Sequence, residues 1–172
     1  MKKLLICTIV TLCTLLAYIT VGQAADKPTI SVTVDDIREI ATEITEYETE
    51  IKMLAKLMYS EARGINSKTE QAAVAWCVLN RVDTGRGTIA EVITAKSQFA
   101  YSRRTPVKDD LRDLAEDVLM RWLLEQKGIE DVGRVLPKEY TYFAGRRGHN
   151  WFRTGYQSRS YWDWSLESPY ES

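Results

Sequence analysis

The stretch KLMYSEARG, residues 56–64, places one acid, Glu61, in an awkward position. Apolar residues recur at Ile37, Ile40, Ile44, Tyr47, Ile51, Leu54 and Met58, a three-four alternation that predicts an amphipathic helix running on to a stop at Gly64. A helix turns about 100° per residue, so Glu61 falls about 20° from Leu54, amid the apolar stripe and away from the outer face. A carboxyl there has two readings. It can be half of a buried ion pair. It can also be an acid whose pKa is raised by desolvation, able to protonate the leaving oxygen of a glycosidic bond. Periodicity alone leaves both open.

Other reactive side chains are few. His149 is the sole histidine, and the cysteines are Cys7, Cys13 and Cys77. That set is too small for the usual zinc site, and neither metal nor cofactor is expected. DTGRGT (83–88) lacks the Lys-Ser/Thr pair of a phosphate loop and the strand before it. A thiol peptidase or transpeptidase built on Cys77 and His149 is the competing chemistry. Cys77 lies in AVAWCVLN, however, where a free cysteine is ordinarily a small core hydrophobe.

A third reading is a non-catalytic glycan-binding module. Nine aromatics lie between Tyr140 and Trp164, and six cations between Arg134 and Arg159 face Glu139 alone. Flat aromatic faces stack on sugar rings, and a basic surface suits an anionic polymer. At least half of these aromatics are expected to be core. A basic aromatic tail also fits single-stranded nucleic acid, a partner that an export signal argues against.

The elements that must position these groups follow from the rest of the chain. Its 172 residues, 45% hydrophobic and 27% charged, fit one folded domain with short appendages. The net charge of −1 hides an uneven distribution, with eight acids against two bases in residues 25–50. At the N-terminus Lys2 and Lys3 precede an apolar run from Leu4 to Val21 and then GQA, the build of a secretory signal cleaved after Ala24. An uncleaved anchor is the alternative. Cleavage leaves Cys77 alone, so no internal disulfide supports the fold.

Segment 25–49 reads as a short extended piece and the start of the acidic helix, capped by Asp35 or Asp36. That helix is expected to pack on its own domain rather than act as a self-associating spacer. SKTE (67–70) and TIAE (88–91) are capping boxes that open helices, the first leading into a segment apolar on all sides. A further helix is predicted over 109–127, stopped by Gly128. EYTYFAG (139–145) can be a strand, and the remainder of the tail reads as ordered loop. The expected architecture is mainly α, with a catalytic domain over 50–172 that ends in a small β/loop portion.

The residues MLAKLMYSEARGINSKTEQAAVAWCVLNRV resemble the start of the SleB-type cell wall hydrolase domain of spore-cortex-lytic enzymes. Glu61-Ala62-Arg63-Gly64 and Leu79-Asn80-Arg81 carry that likeness at matching spacing. SQFA (97–100) is similar to the family's Gln-Phe-Ser, with Ala100 in place of serine. GHNWF (148–152) is similar to its His-x-Phe ending. Ile65-Asn66 departs from the family's common Gly-Glu, and the tail is longer and more aromatic.

The resemblance covers about residues 50–155. It implies a lysozyme-like fold and an extracytoplasmic enzyme cleaving peptidoglycan between N-acetylmuramic acid and N-acetylglucosamine, with Glu61 as the essential acid. For some members it implies lytic transglycosylation. Tyr59, Arg63, Asn80, Arg81, Gln98, Phe99, His149, Trp151 and Phe152 become candidate substrate contacts. The expected partner is the glycan strand, the expected state a monomer, and membrane contact is expected only through an uncleaved N-terminal segment.

Overall fold

The computed structural model describes residues 33–171, a mainly helical chain with one small hairpin in its C-terminal part. The expected signal segment and most of the extended piece after it lie outside the described residues, as does the side chain of Ile37.

Helix α1 spans Val34–Glu46. Its cap is Thr33, not Asp35 or Asp36: Thr33 Oγ1 accepts the Asp36 amide and the Asp36 carboxylate answers to the Thr33 amide, a reciprocal box. The single long helix expected here is two. The chain turns at Tyr47, whose amide bonds back to Ile44 at 3.2 Å, and α2 then runs over Glu48–Glu61. Thr42 and Thr45 both donate to carbonyls of the preceding turn, a habit that bends helices. The last turn of α1 also holds no base to offset its dipole.

The acidic helix packs on its own domain. Ile40 is buried, and Lys127 at the end of a later helix reaches Glu39 at 3.0 Å and Glu43 at 3.7 Å. Glu48, at the start of α2, accepts from Lys52 at 2.9 Å and Arg112 at 2.8 Å.

Helix α3 (Lys68–Asp83) is the centre of the molecule, with every residue from Ala72 to Arg81 buried. This is the segment that reads as apolar on all sides, and its small residues let neighbours approach closely. The short α4 (Ile89–Thr94) opens on a complete Thr88–Glu91 capping box, and α5 (Asp109–Gln126) buries Leu111, Leu114, Ala115, Val118 and Leu119 against α2 and α3.

Beyond α5 the chain wraps back over the helices and forms one antiparallel hairpin, β1 (Tyr142–Arg146) with β2 (His149–Arg153), paired from Tyr142↔Arg153 to Arg146↔His149. The turn is Arg147-Gly148, with φ of 55° and 79°. Positive φ at both central residues matches the twist of the strands. Only β1 is foreseen from the sequence; β2 stands where a loop is expected.

Candidate functional site

Glu61 is the last residue of α2, with Ala62 capping through its amide to the Met58 carbonyl at 2.8 Å. The helix stops three residues short of Gly64, so the apolar stripe runs out at its rim. Glu61 is therefore half-exposed, not enclosed as its place on the stripe predicts.

Two distant segments close on it. One carboxylate oxygen of Glu61 accepts the amide of Ala100, from the loop after α4. Its backbone carbonyl accepts the side-chain amide of Asn150, from β2, at 3.1 Å. The three stretches singled out in the sequence around Glu61, Gln98 and His149 thus meet at one residue. Beside it, exposed Arg63 sets its guanidinium 5.7 Å above the half-buried Tyr59 ring.

Behind this surface lies a layer that holds the loops. Arg81 is buried; its Nε donates to the Thr141 carbonyl at 2.6 Å and a terminal nitrogen donates to Gln98 Oε1 at 3.1 Å. The guanidinium stands 4.4 Å from the Phe99 ring and 5.1 Å from Tyr142. Burial pulls its pKa below the usual guanidinium value, and aromatic faces and carbonyls replace the lost water. Asn80, fully buried, donates to the carbonyls of Pro137 at 2.8 Å and Tyr140 at 2.9 Å and accepts from Arg134.

Asn80 and Arg81 are therefore buried positioning residues rather than surface contacts for a substrate: the Asn80 amide, and Nε and one terminal nitrogen of Arg81, are bonded inside the protein. Phe152 is likewise core, 1% exposed between Phe143 and Trp164 at ring distances of 5.2 and 5.7 Å. Of the candidate contacts, Gln98, His149 and Trp151 are exposed with Arg63, and Tyr59 and Phe99 are half-buried.

One buried acid beside the candidate site escapes the sequence reading. Glu70 is only 5% exposed. Ser67 caps its amide at 3.1 Å as expected, but the Glu70 carboxylate does not complete the box. It turns inward to accept the Asn150 amide and meets His149 Nδ1 at 3.1 Å. A carboxylate in the first turn of a helix is favoured by the dipole, and here it fastens β2 to α3. Asn150 consequently bridges Glu70 and Glu61 through its backbone and side chain. The His149 imidazole, held at one nitrogen, remains about two-thirds exposed.

Cys77 is fully buried, and burial pushes its thiol up to about 12. A nucleophilic cysteine needs the opposite environment. The other acids are engaged or apart: Asp83 accepts from Trp122 at 2.9 Å and Gln126 at 3.2 Å, Asp163 accepts the Ser165 amide, and Asp109 is exposed at the start of α5. Among the described residues no group of three or more His, Cys, Asp and Glu side chains is placed to hold a metal ion. No described helix is long and apolar enough to cross a membrane. Compared with known protein families, curated proteins and solved structures, the chain matches none.

Proposed function

We propose that this chain is an exported enzyme that cuts peptidoglycan glycan strands between N-acetylmuramic acid and N-acetylglucosamine, with Glu61 as general acid and base. The observation that carries the reading is the convergence on Glu61: a carboxyl at an open helix end, fixed through one oxygen by the amide of Ala100, which directly follows Gln98 and Phe99, with its backbone carbonyl bonded to Asn150. No described residue donates to its second oxygen, which is the one available to carry a proton. The SleB-like motifs supply the three segments that meet there. A lysozyme-like fold is compatible with a helical domain bearing its acid at a helix end beside a two-stranded sheet. The N-terminal pattern supplies the export.

A single carboxyl suffices for lytic transglycosylation. Glu61 protonates the glycosidic oxygen as the bond to the muramic C1 breaks. The resulting carboxylate then takes the proton of that sugar's C6 hydroxyl, whose oxygen bonds to C1 and closes a 1,6-anhydro ring. Hydrolysis would require a second carboxyl at a set separation to activate water or act as nucleophile. Asp83 and Glu70 are already hydrogen-bonded elsewhere.

Glu61→Gln is the test. It retains the shape and the Ala100 contact, and turnover of purified cell walls should fall about 10²- to 10⁴-fold. Mass spectrometry of the released muropeptides should find anhydro ends; reducing ends would convert the enzyme to a hydrolase. Wall clearing by Glu61→Gln at the wild-type rate would overturn the mechanism, and glycan binding with no turnover by either protein would leave a binding module.

A further inference from the structure

The outward face of the hairpin carries a site that the Glu61 chemistry does not use. Strand β2 alternates, burying Asn150 and Phe152 and exposing His149 and Trp151. Trp151 is 41% exposed and pinned: its indole N–H donates to the Arg146 carbonyl across the turn at 3.1 Å. Tyr161, 43% exposed, meets it edge-on with ring centroids 5.4 Å apart. These two rings and the side chains of Arg146 and Arg147 line an open cavity at the hairpin tip.

The two arginines differ from those that hold the fold. Arg112, Arg121 and Arg134 each pair with a carboxylate, and Arg81 is bonded to a carbonyl and an amide oxygen. Among the described residues no carboxylate lies within ion-pairing distance of Arg146 or Arg147. Two guanidinium forks thus stand beside a fixed aromatic face, open to solvent. A guanidinium matches a carboxylate with two parallel hydrogen bonds, and an indole face takes the apolar C–H face of a pyranose.

We propose that this cavity is a subsite for a muramic sugar of the glycan strand whose lactyl carboxyl carries no stem peptide, with the ring on Trp151 and Tyr161 and the free carboxylate on Arg146 and Arg147. The inference rests on the glycan reading above and names the sugar that reading leaves unspecified away from the cut. Trp151 directly follows Asn150, whose side chain donates to the Glu61 carbonyl, so the strand that forms the subsite also contacts the end of the helix that carries the acid. A neutral sugar satisfies the aromatic faces alone and leaves both cations to water.

Calorimetry on the full chain carrying Glu61→Gln tests the subsite without turnover. The probes are a peptide-free oligosaccharide of alternating N-acetylglucosamine and N-acetylmuramic acid, a neutral chitooligosaccharide of equal length, and the stem peptide alone. The anionic glycan should bind at least about tenfold more tightly than the neutral one. That gap should close in Arg146→Gln/Arg147→Asn, asparagine being tolerant of the positive φ at 147. Arg146→Gln alone, outside the turn, should narrow it should the double variant fail to fold.

Trp151→Phe should weaken both glycans alike. Equal affinity for the two glycans, a gap that survives both arginine variants, no binding to either glycan, or peptide binding as tight as the sugar would each overturn the subsite. Because binding is read on the inactive variant, these outcomes are separate from any failure of Glu61 as the acid.

Discussion

The helical portion through Gln126 and the wrapping segment from Lys127 onward are held by different physics. In α2, α3 and α5, contiguous apolar faces pack together, with Leu54, Leu57, Met58, Trp76, Leu79 and Leu119 almost wholly out of water. The wrapping segment buries fewer large side chains and is tied down by polar anchors reaching back to the helices. Arg121 donates to the Val132 carbonyl at 2.7 Å; Arg134 pairs with Glu125 and Asn80; the Tyr170 hydroxyl reaches Asp117 at 2.7 Å; Glu70 takes Asn150. Apolar burial tolerates small shifts because it is not directional. Hydrogen bonds to buried charge do not. The half that carries the acid is thus a packed scaffold, while the opposing wall is set by a few exact contacts.

The contrast can be broken from either side. Removing one partner of a buried ion pair leaves the other charge stranded, so Arg134→Leu should cost about 3–5 kcal/mol, toward the low end because Lys138 stands 3.4 Å from the same Glu125 carboxylate. The loss should appear in denaturant melts as early release of the wrapping segment, read by hydrogen exchange, with the helices still protected. Leu119→Ala in the scaffold should cost about 2–5 kcal/mol and lower both regions together. Glu70→Gln should cost about 1–3 kcal/mol and reduce turnover by loosening Asn150 against Glu61; a change in stability with turnover intact would reduce Glu70 to a structural fastener. Thr88→Ala should remove about 1 kcal/mol from α4 alone.

Cys77 gives the mildest test. Its thiol keeps its proton to about 12 in the folded chain, whereas an unfolded cysteine releases it near ~8.5. The contribution is therefore complete below the unfolded value and declines as pH rises from there toward 12. Native protein should resist alkylation at pH ~8 and react promptly once denatured.

These two regions were not equally legible. Helices α3, α4 and α5 follow from caps and apolar spacing, because local signals and burial agree there. The break at Tyr47 does not, since the apolar period continues through it and only the Thr42 and Thr45 back-bonds and the pairing of Glu48 redirect the chain. The β2 strand was hidden because its turn opens on arginine, a residue seldom found at positive φ. Glu70 was masked by a capping box that is only half formed. Asn80 and Arg81 stand in a motif with functional associations, yet their partners, Pro137, Tyr140 and Thr141, are more than fifty residues away. Only Glu61 was visible directly, as an acid on an apolar face, and even there the early helix end changed a pocket into a rim.

The wrap also constrains what sequence drift allows. Gly133 has φ of +68°, and a Cβ there would fall 2.7 Å from an Arg121 nitrogen, so a side chain at that position would unseat the Arg121–Val132 bond. A further consequence follows from the parity of β2. Strand side chains change face at every residue, so a slip of one position would swing the Asn150 amide outward and drive the Trp151 indole toward Glu61 and Glu70. With an asparagine required inside and an indole outside, the hairpin has one docking phase. A hairpin docked out of phase loses the Asn150 bridge and the outward Trp151 face together, so a population of this protein should contain both features or neither.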